Sequence, residues 1–356
     1  MDTLVSIIMS FLVPIIAGFT ATVIAFNFRV PDVSNARSSH KGTALTAGGI
    51  SVIAAFIAMM GVQYFGNNRW MFDPSYFGLI GLTVAIAGLG LYDDLRGARS
   101  LPKLIFMVAI AVTACVLVGP VDALVLPILG TTSLPLFVGV ALSVLWIVTV
   151  VNAVNFIDGA NGMLVGTMTV AALGLLLLSA FTRDYIDWTL SLLIGLLCFA
   201  PFNFRTTAAI FAGDVGALTV GFIFAVAGLL FVRTSDQAET LFILPLLILP
   251  VLIDVFMTLI RRVRAGENIL RAHNQHLFQR QIQAGASHVQ VSLSYMFASI
   301  VSILYALCWY YADMYYGRWF HHCWALIAGI IIGVAIYIPL YRRAMVKIAA
   351  NKAAAS

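Results

Sequence analysis

Apolar runs long enough to cross a bilayer recur from one end of this chain to the other, and a water-soluble fold has nowhere to put them. A hydrocarbon core of about 30 Å takes roughly 20 mostly apolar residues in a helix. On that rule eleven segments read as spans, near residues 4–26, 46–65, 76–92, 103–119, 135–152, 162–182, 188–204, 215–232, 240–260, 291–315 and 323–341. The composition agrees. Of 356 residues, 62% are hydrophobic and 10% are charged, against about a quarter charged in soluble domains, and the mean hydropathy is +1.00. The expected fold is an all-α, polytopic transmembrane bundle forming one domain over residues 1–356. The segment 120–134 is apolar but broken by proline and glycine, so it reads as a surface hairpin or loop. Leu4 to Phe26 is too long for a signal-peptide core and lacks a basic leader, so it reads as a span.

Loop charges test the span count independently. The loops after spans 1, 3, 5, 7 and 9, together with the C-terminus, hold sixteen of the twenty lysines and arginines. The positive-inside rule makes that side cytoplasmic, with the N-terminus outside and the C-terminus inside. The four cysteines (Cys115, Cys198, Cys308 and Cys323) lie singly inside apolar runs and show no metal-ligand spacing.

The chemically active side chains gather on the cytoplasmic side. Asp93 and Asp94 end an apolar helix, and an adjacent acid pair suits either a hard cation or a base. As an isolated pair they would read as solvated boundary residues. Asn152, Asn155 and Asp158 follow at i, i+3 and i+6, within one face of a helix. The plain alternative there is a polar seam between helices. Asp214 stands among small residues in FAGDVGALTVG, which leaves room for an ion or phosphate. In the long cytoplasmic loop 261–290, His273, His276 and Arg280 share a helical face. Two histidines with nearby carboxylates suit a phosphate-contacting patch better than a metal site, because the hard oxygen ligands favour Mg²⁺. Arg261, Arg262 and Arg264 read as a basic stretch facing anionic lipid. In the first cytoplasmic loop, Gly48-Gly49 opens a helix below Arg37, His40 and Lys41, and can present backbone N–H groups to an anion.

These segments, PDVSNARSSHKGTALTAGG, GLYDDLRGARSLPK, NAVNFIDGANG, FAGDVGALTVG and AHNQHLFQR, resemble in order and side the polyprenyl-phosphate N-acetylhexosamine-1-phosphate transferase superfamily, glycosyltransferase family 4. They cover residues 31 to 280. The resemblance implies a fold of ten or eleven helices, often dimeric, in the bacterial inner membrane, with a cytoplasmic active site using Mg²⁺, or Mn²⁺ as the alternative. It implies that Asp93 and Asp94 handle metal and activate the lipid phosphate, and that Asp214 binds Mg²⁺, with Asp94 as a further ligand. Asn152, Asn155 and Asp158 match a nucleotide- and phosphate-binding motif, and Lys41 sits in a segment that approaches the nucleotide. His273 and His276 match the ends of the family's histidine motif. Asn274 and Gln275 separate them where relatives often have consecutive histidines. This Ala-His-x-x-His form resembles members that initiate O-antigen with N-acetylated deoxyhexosamines, and the absent His-His-His-Phe-Glu run argues against a MurNAc-pentapeptide substrate. Ala217 replaces a frequent serine.

The implied reaction takes a UDP-N-acetylhexosamine and undecaprenyl phosphate, within membrane lipid and with no nucleic-acid partner. The lipid phosphate attacks the sugar-bearing phosphorus and UMP leaves. Either Asp93 or Asp94 can be the base, and a two-step route through an aspartyl intermediate stays open. The rival class is a cation- or proton-coupled transporter, supported by Asp254 inside LPVLIDVFMTLI. A membrane phosphatase or nucleotidyl transferase shares the metal chemistry.

Overall fold

The computed structural model describes residues 3–28, 48–66, 73–126, 130–179, 186–205, 210–235, 238–269, 271, 273–316 and 322–355. Its helices are α1 (Thr3–Phe28), α2 (Ile50–Phe65), α3 (Pro74–Arg96), α4 (Ser100–Val118), α5 (Leu136–Ile157), α6 (Met163–Ser179), α7 (Ile186–Asn203) and α8 (Gly213–Thr234). A 3-10 turn at Ala238–Phe242 leads into α9 (Leu244–Leu247) and α10 (Leu249–Arg264), followed by α11 (Leu277–Gln283), α12 (His288–Tyr316) and α13 (His322–Ala355). Between α4 and α5, β1 (Ala123–Leu126) and β2 (Gly130–Ser133) pair antiparallel, with Ala123 opposite Ser133 and Leu126 opposite Gly130. This ribbon is the hairpin expected where proline and glycine interrupt an apolar run.

Each of the eleven expected segments falls on helix among the described residues. Among the described residues eight helices are long and apolar enough to cross a bilayer: α1, α3, α4, α5, α7, α8, α12 and α13. The pair ending in α10 makes a ninth if counted as one span, although it bends by 79°. Here Ile248 separates the two helices, and Pro250 stands at the start of α10, where its missing N–H is harmless. The apolar helices α2 and α6 are shorter, at 16 and 17 residues.

The bundle is organised around α8. From Gly213 to Phe231 every residue of it except Asp214 is buried, which an amphipathic surface helix could not be. Small residues make this possible, because lipid gives no hydrophobic reward for helix association and packing depends on close backbone approach. A Cβ on Gly90 of α3 would lie 2.4 Å from the Asp214 carbonyl oxygen, and one on Gly49 would lie 1.9 Å from the Gly216 Cα. Buried apolar side chains from α2 to α13 form one continuous cluster. The lipid-facing surface is supplied by α1, α4, α12 and α13, through exposed residues such as Phe11, Ile16, Val116, Phe297 and Ile331.

Hydrogen bonds between chain-distant segments tie one end of the bundle together. Gly48 and Gly49 N–H donate to the Phe211 and Ala212 carbonyls at 2.9 and 3.0 Å. Those two amides, expected to face an anion, therefore serve instead to dock α2 against the entry to α8. Asn161 Nδ2 donates to the Arg205 carbonyl at 3.1 Å, and Ser292 Oγ donates to the Asn161 carbonyl at 2.7 Å. Residues after α5, after α7, before α8 and in α12 thus meet on one face, the face bearing the acids.

Candidate active site

The chain enters α8 through Gly213 at φ +68°, a left-handed state that glycine takes at little cost. A Cβ there would also stand 2.7 Å from the Asp94 carboxylate. The first N–H groups of any helix lack partners within it. In α8 two carboxylates from other helices supply them. Gly213 N–H donates to Asp158 Oδ2 at 2.9 Å, Asp214 N–H to Asp94 Oδ1 at 2.8 Å, and Val215 N–H to Asp94 Oδ2 at 3.0 Å. Anionic acceptors at the positive end of a helix make shorter, stronger bonds than neutral caps.

Asp93 faces the other way. Glycine at 97, with φ +68°, ends α3 in a tight turn, and α4 starts three residues later. That turn returns Lys103 to the acids. The Lys103 ammonium, 9% exposed, donates to Asp93 Oδ2 at 2.5 Å and also to Asp214 Oδ2. Asp93 Oδ1 accepts from the Ala98 N–H at 2.5 Å. One lysine thus joins carboxylates that are 121 positions apart in the chain.

Asp158 caps the C-terminus of α5, and Asn152 and Asn155 lie half-buried on the preceding two turns. Asn152 Nδ2 donates to its own helix at the Val148 carbonyl, 2.8 Å away. Burial, and then the negative charges of Asp214 and Asp94, push the Asp158 carboxyl well above the usual carboxylate range.

The histidine segment departs from the expected helical face. Residues 273–276 are not helical, and His276 is the cap at the start of α11. The cause is Asp254 of α10, itself only 1% exposed. Its Oδ1 accepts from the Leu277 N–H at 2.7 Å and from Thr258 Oγ1 at 3.3 Å. Its Oδ2 accepts from the Tyr295 hydroxyl at 2.7 Å and from the Phe278 N–H at 3.4 Å. Asp254, the main support for a transporter, is therefore the fully bonded anchor of α11. His276 packs on Phe156 of α5 and on His273, with ring centroids 5.3 and 4.9 Å apart. This sets the histidine segment against the end of α5, two residues from Asp158. Arg280, half-buried on α11, donates to Gln283 Oε1 at 2.8 Å. Lys41 lies outside the described residues.

The structure therefore brings Asp93, Asp94, Asp158 and Asp214 together, with His273 and His276 beside them. Two residues that local sequence reading did not assign complete the arrangement. Lys103 lies inside GLYDDLRGARSLPK, but no spacing rule links a lysine nine residues on to the acid pair. Asp254 could be found only from the amides it meets 23 residues later. As metal donors the acids are all-oxygen, which suits Mg²⁺ or Mn²⁺ over softer ions. Among the described residues no three histidine, cysteine, aspartate or glutamate side chains form a ready chelate. Asp94 turns both oxygens to amides, so the donor pair best matched to a cation is Asp93 and Asp214, which already share one in Lys103.

Comparison with known proteins points the same way. The family model for glycosyl transferase family 4 matches residues 76–232, the stretch holding all four acids and Lys103. The chain is 31% identical over 285 residues to a phospho-N-acetylmuramoyl-pentapeptide-transferase of Synechococcus, covering 74% of this chain and 78% of that one. It is 28% identical over 322 residues to a decaprenyl-phosphate N-acetylglucosaminephosphotransferase of Mycobacterium tuberculosis, covering 82% and 78%. It is 27% identical over 219 residues to a probable undecaprenyl-phosphate N-acetylglucosaminyl 1-phosphate transferase of Bacillus subtilis, covering 60% and 61%. A membrane bundle with four aspartates assembled at one buried helix start, and two relatives matched over more than three quarters of their length, place this chain in glycosyl transferase family 4, the polyprenyl-phosphate sugar-1-phosphate transferase superfamily.

Proposed function

We propose that this multi-pass membrane protein is a sugar-1-phosphate transferase that moves an N-acetylhexosamine-1-phosphate, or its deoxy form, from a UDP-sugar to undecaprenyl phosphate. The product is a lipid-diphosphate-linked sugar that initiates a cell-surface polysaccharide such as O-antigen, and UMP is released. The observation that carries this reading is the convergence of Asp93, Asp94, Asp158 and Asp214 with Lys103 on the start of α8. The charge of the loops favours a cytoplasmic site at the bacterial inner membrane, and a homodimer is compatible with the family.

Phosphoryl transfer asks a protein for positioning and charge neutralisation more than for covalent chemistry. An oxygen of the lipid phosphate attacks the sugar-bearing phosphorus, and the bond to the UMP phosphate breaks. Asp94 and Asp158 hold the first turn of α8 rigid, so the acids keep their spacing through turnover. The base is one member of the acid pair, Asp93 or Asp94. Lys103 brings a cation to the phosphates, and Asn152, Asn155, Lys41 and Arg280 contribute polar contacts to the nucleotide and diphosphate. Mg²⁺, or Mn²⁺, held by Asp93 and Asp214 in place of the Lys103 ammonium would supply neutralisation of the diphosphate.

The test is to incubate purified protein with undecaprenyl phosphate, Mg²⁺ and a panel of UDP-sugars, and to measure UMP. Release should follow at least one N-acetylated sugar. Folded protein that yields no UMP from any of them would overturn the assignment.

A further inference from the structure

The buried carboxylate of Asp254 has more contacts than anchoring needs. The amides of Leu277 and Phe278 and the Tyr295 hydroxyl already satisfy it and fix the start of α11. Yet the same Oδ1 also stands 3.6 Å from His276 Nδ1, inside a packed core. His276 is 3% exposed, and its Nε2 is buried with no hydrogen-bond partner. A buried polar atom without a protein partner calls for an explanation, and a catalytic role is one that such atoms have. The ring packs on His273, which is half-buried and has its Nδ1 3.5 Å from the Gln275 N–H. Gln275, one of the two residues that break the histidine run, turns its side chain to Glu267 at 3.0 Å, and Glu267 pairs with Arg262 at 2.9 Å. Gln275 therefore braces the loop and leaves the ring stack to the histidines. On the far side, the Phe278 ring closes on Gly159, where a Cβ would meet it at 3.2 Å, one residue beyond Asp158.

We propose that Asp254 is a positioning residue for the transfer, acting through His276 to hold His273 against the end of α5, where the substrate phosphates are handled. A side chain two shells from the reacting atoms matters when it locks the rotamer of one that touches them. The proposal rests on the transferase reading given above. Groups packed around the pair are Tyr295 and Thr258 on Asp254, Arg261 through the Gln275 carbonyl at 2.9 Å, and Phe156 and Phe278 on His276.

The experiment uses the full-length protein in nanodiscs, with undecaprenyl phosphate and the UDP-sugar that gives most UMP. Asp254→Asn should lower kcat about ten- to a hundredfold and change KM for the UDP-sugar less than threefold, and Asp254→Glu should restore part of the loss. Asp254→Asn combined with His276→Gln should be no slower than His276→Gln alone, because residues that act as a unit are not additive. Histidine ¹⁵N spectra should show the His273 signal displaced in Asp254→Asn. Wild-type kcat in Asp254→Asn, losses that multiply in the double variant, or an unmoved His273 signal would each sink the proposal. Should Asp254→Asn fail to fold, Tyr295→Phe takes its place: its smaller kcat loss must vanish in the His276→Gln background, and a loss that persists overturns the idea. If the wild type releases no UMP, the transferase reading fails, while the His273 signal still decides whether Asp254 positions that ring.

Discussion

Asp94 grips the backbone of Asp214. Its Oδ1 accepts the Asp214 N–H at 2.8 Å, while Oδ2 takes the next amide, that of Val215, at 3.0 Å. The second member of the acid pair is thus the N-terminal cap of the most buried helix, delivered from another helix. Asp94→Asn puts an amide NH₂ against one of those two N–H groups and removes the charge that favours the helix start. The expected result is loss of turnover and a fall of about 1–2 kcal/mol in stability, the range for a lost cap. Thermal melts and UMP release on the same preparation check it. A variant as stable and as active as wild type would show that Asp94 does neither job.

The approach of α3 to α8 depends on one missing side chain. A Cβ on Gly90 would lie 2.4 and 2.5 Å from the carbonyl oxygen and carbon of Asp214 and 2.5 Å from the Val215 Cα, all backbone atoms that cannot swing aside. Gly90→Ala should force the helices apart, cost roughly 1–3 kcal/mol as overpacking does, and abolish activity by pulling Asp94 off α8. Gly88, two residues earlier on the exposed side, has nothing within 4 Å of its would-be Cβ. Gly88→Ala should be close to neutral in both assays. Equal behaviour of the two variants would refute the close contact.

What the sequence made legible, and what it hid, follow from locality. Apolar runs report spans directly because each must satisfy its own backbone inside lipid. Asp93, Asp158 and Asp214 stood out because each ends or begins such a run on the same side. Lys103 read only as a loop charge, since its place between Asp93 and Asp214 depends on the left-handed turn at Gly97. The helical face drawn through His273, His276 and Arg280 failed because spacing cannot say where a helix starts. Asp254 decides that by taking the Leu277 amide. The same residue invited a transporter reading only while its partners were invisible.

Lys103 is a cation held between two carboxylates, so it and a divalent ion compete for one place. Lys103→Met removes the ammonium and leaves Asp93 and Asp214 facing each other. Breaking a largely buried pair by deleting one partner costs about 3–5 kcal/mol, reduced here because Asp214 is 22% exposed. In Mg²⁺-free buffer the variant should melt well below wild type, and added Mg²⁺ should raise its melting temperature more than that of wild type. Equal protection of both proteins would place the ion elsewhere.

Asp158 gives the pH dependence its sign. Burial, joined by the charges of Asp214 and Asp94, holds its carboxyl well above the ordinary carboxylate range in the folded protein. A folded value raised above the unfolded one means the native state binds the proton more tightly. That contribution to stability is complete below the unfolded value, near 4, and is lost as pH rises through the raised folded value. Without divalent ions the protein should therefore lose stability across that rise, as Asp158 is driven to ionise beside two other acids. A divalent cation offsets this repulsion and must displace the proton to do so, so its effect grows as protons become scarce. The melting temperature gained from Mg²⁺ should be larger at pH 8 than at pH 6. Asp158→Asn, which has no charge to neutralise, should flatten that difference. A gain independent of pH in wild type would mean that the acids around α8 are not what the cation meets.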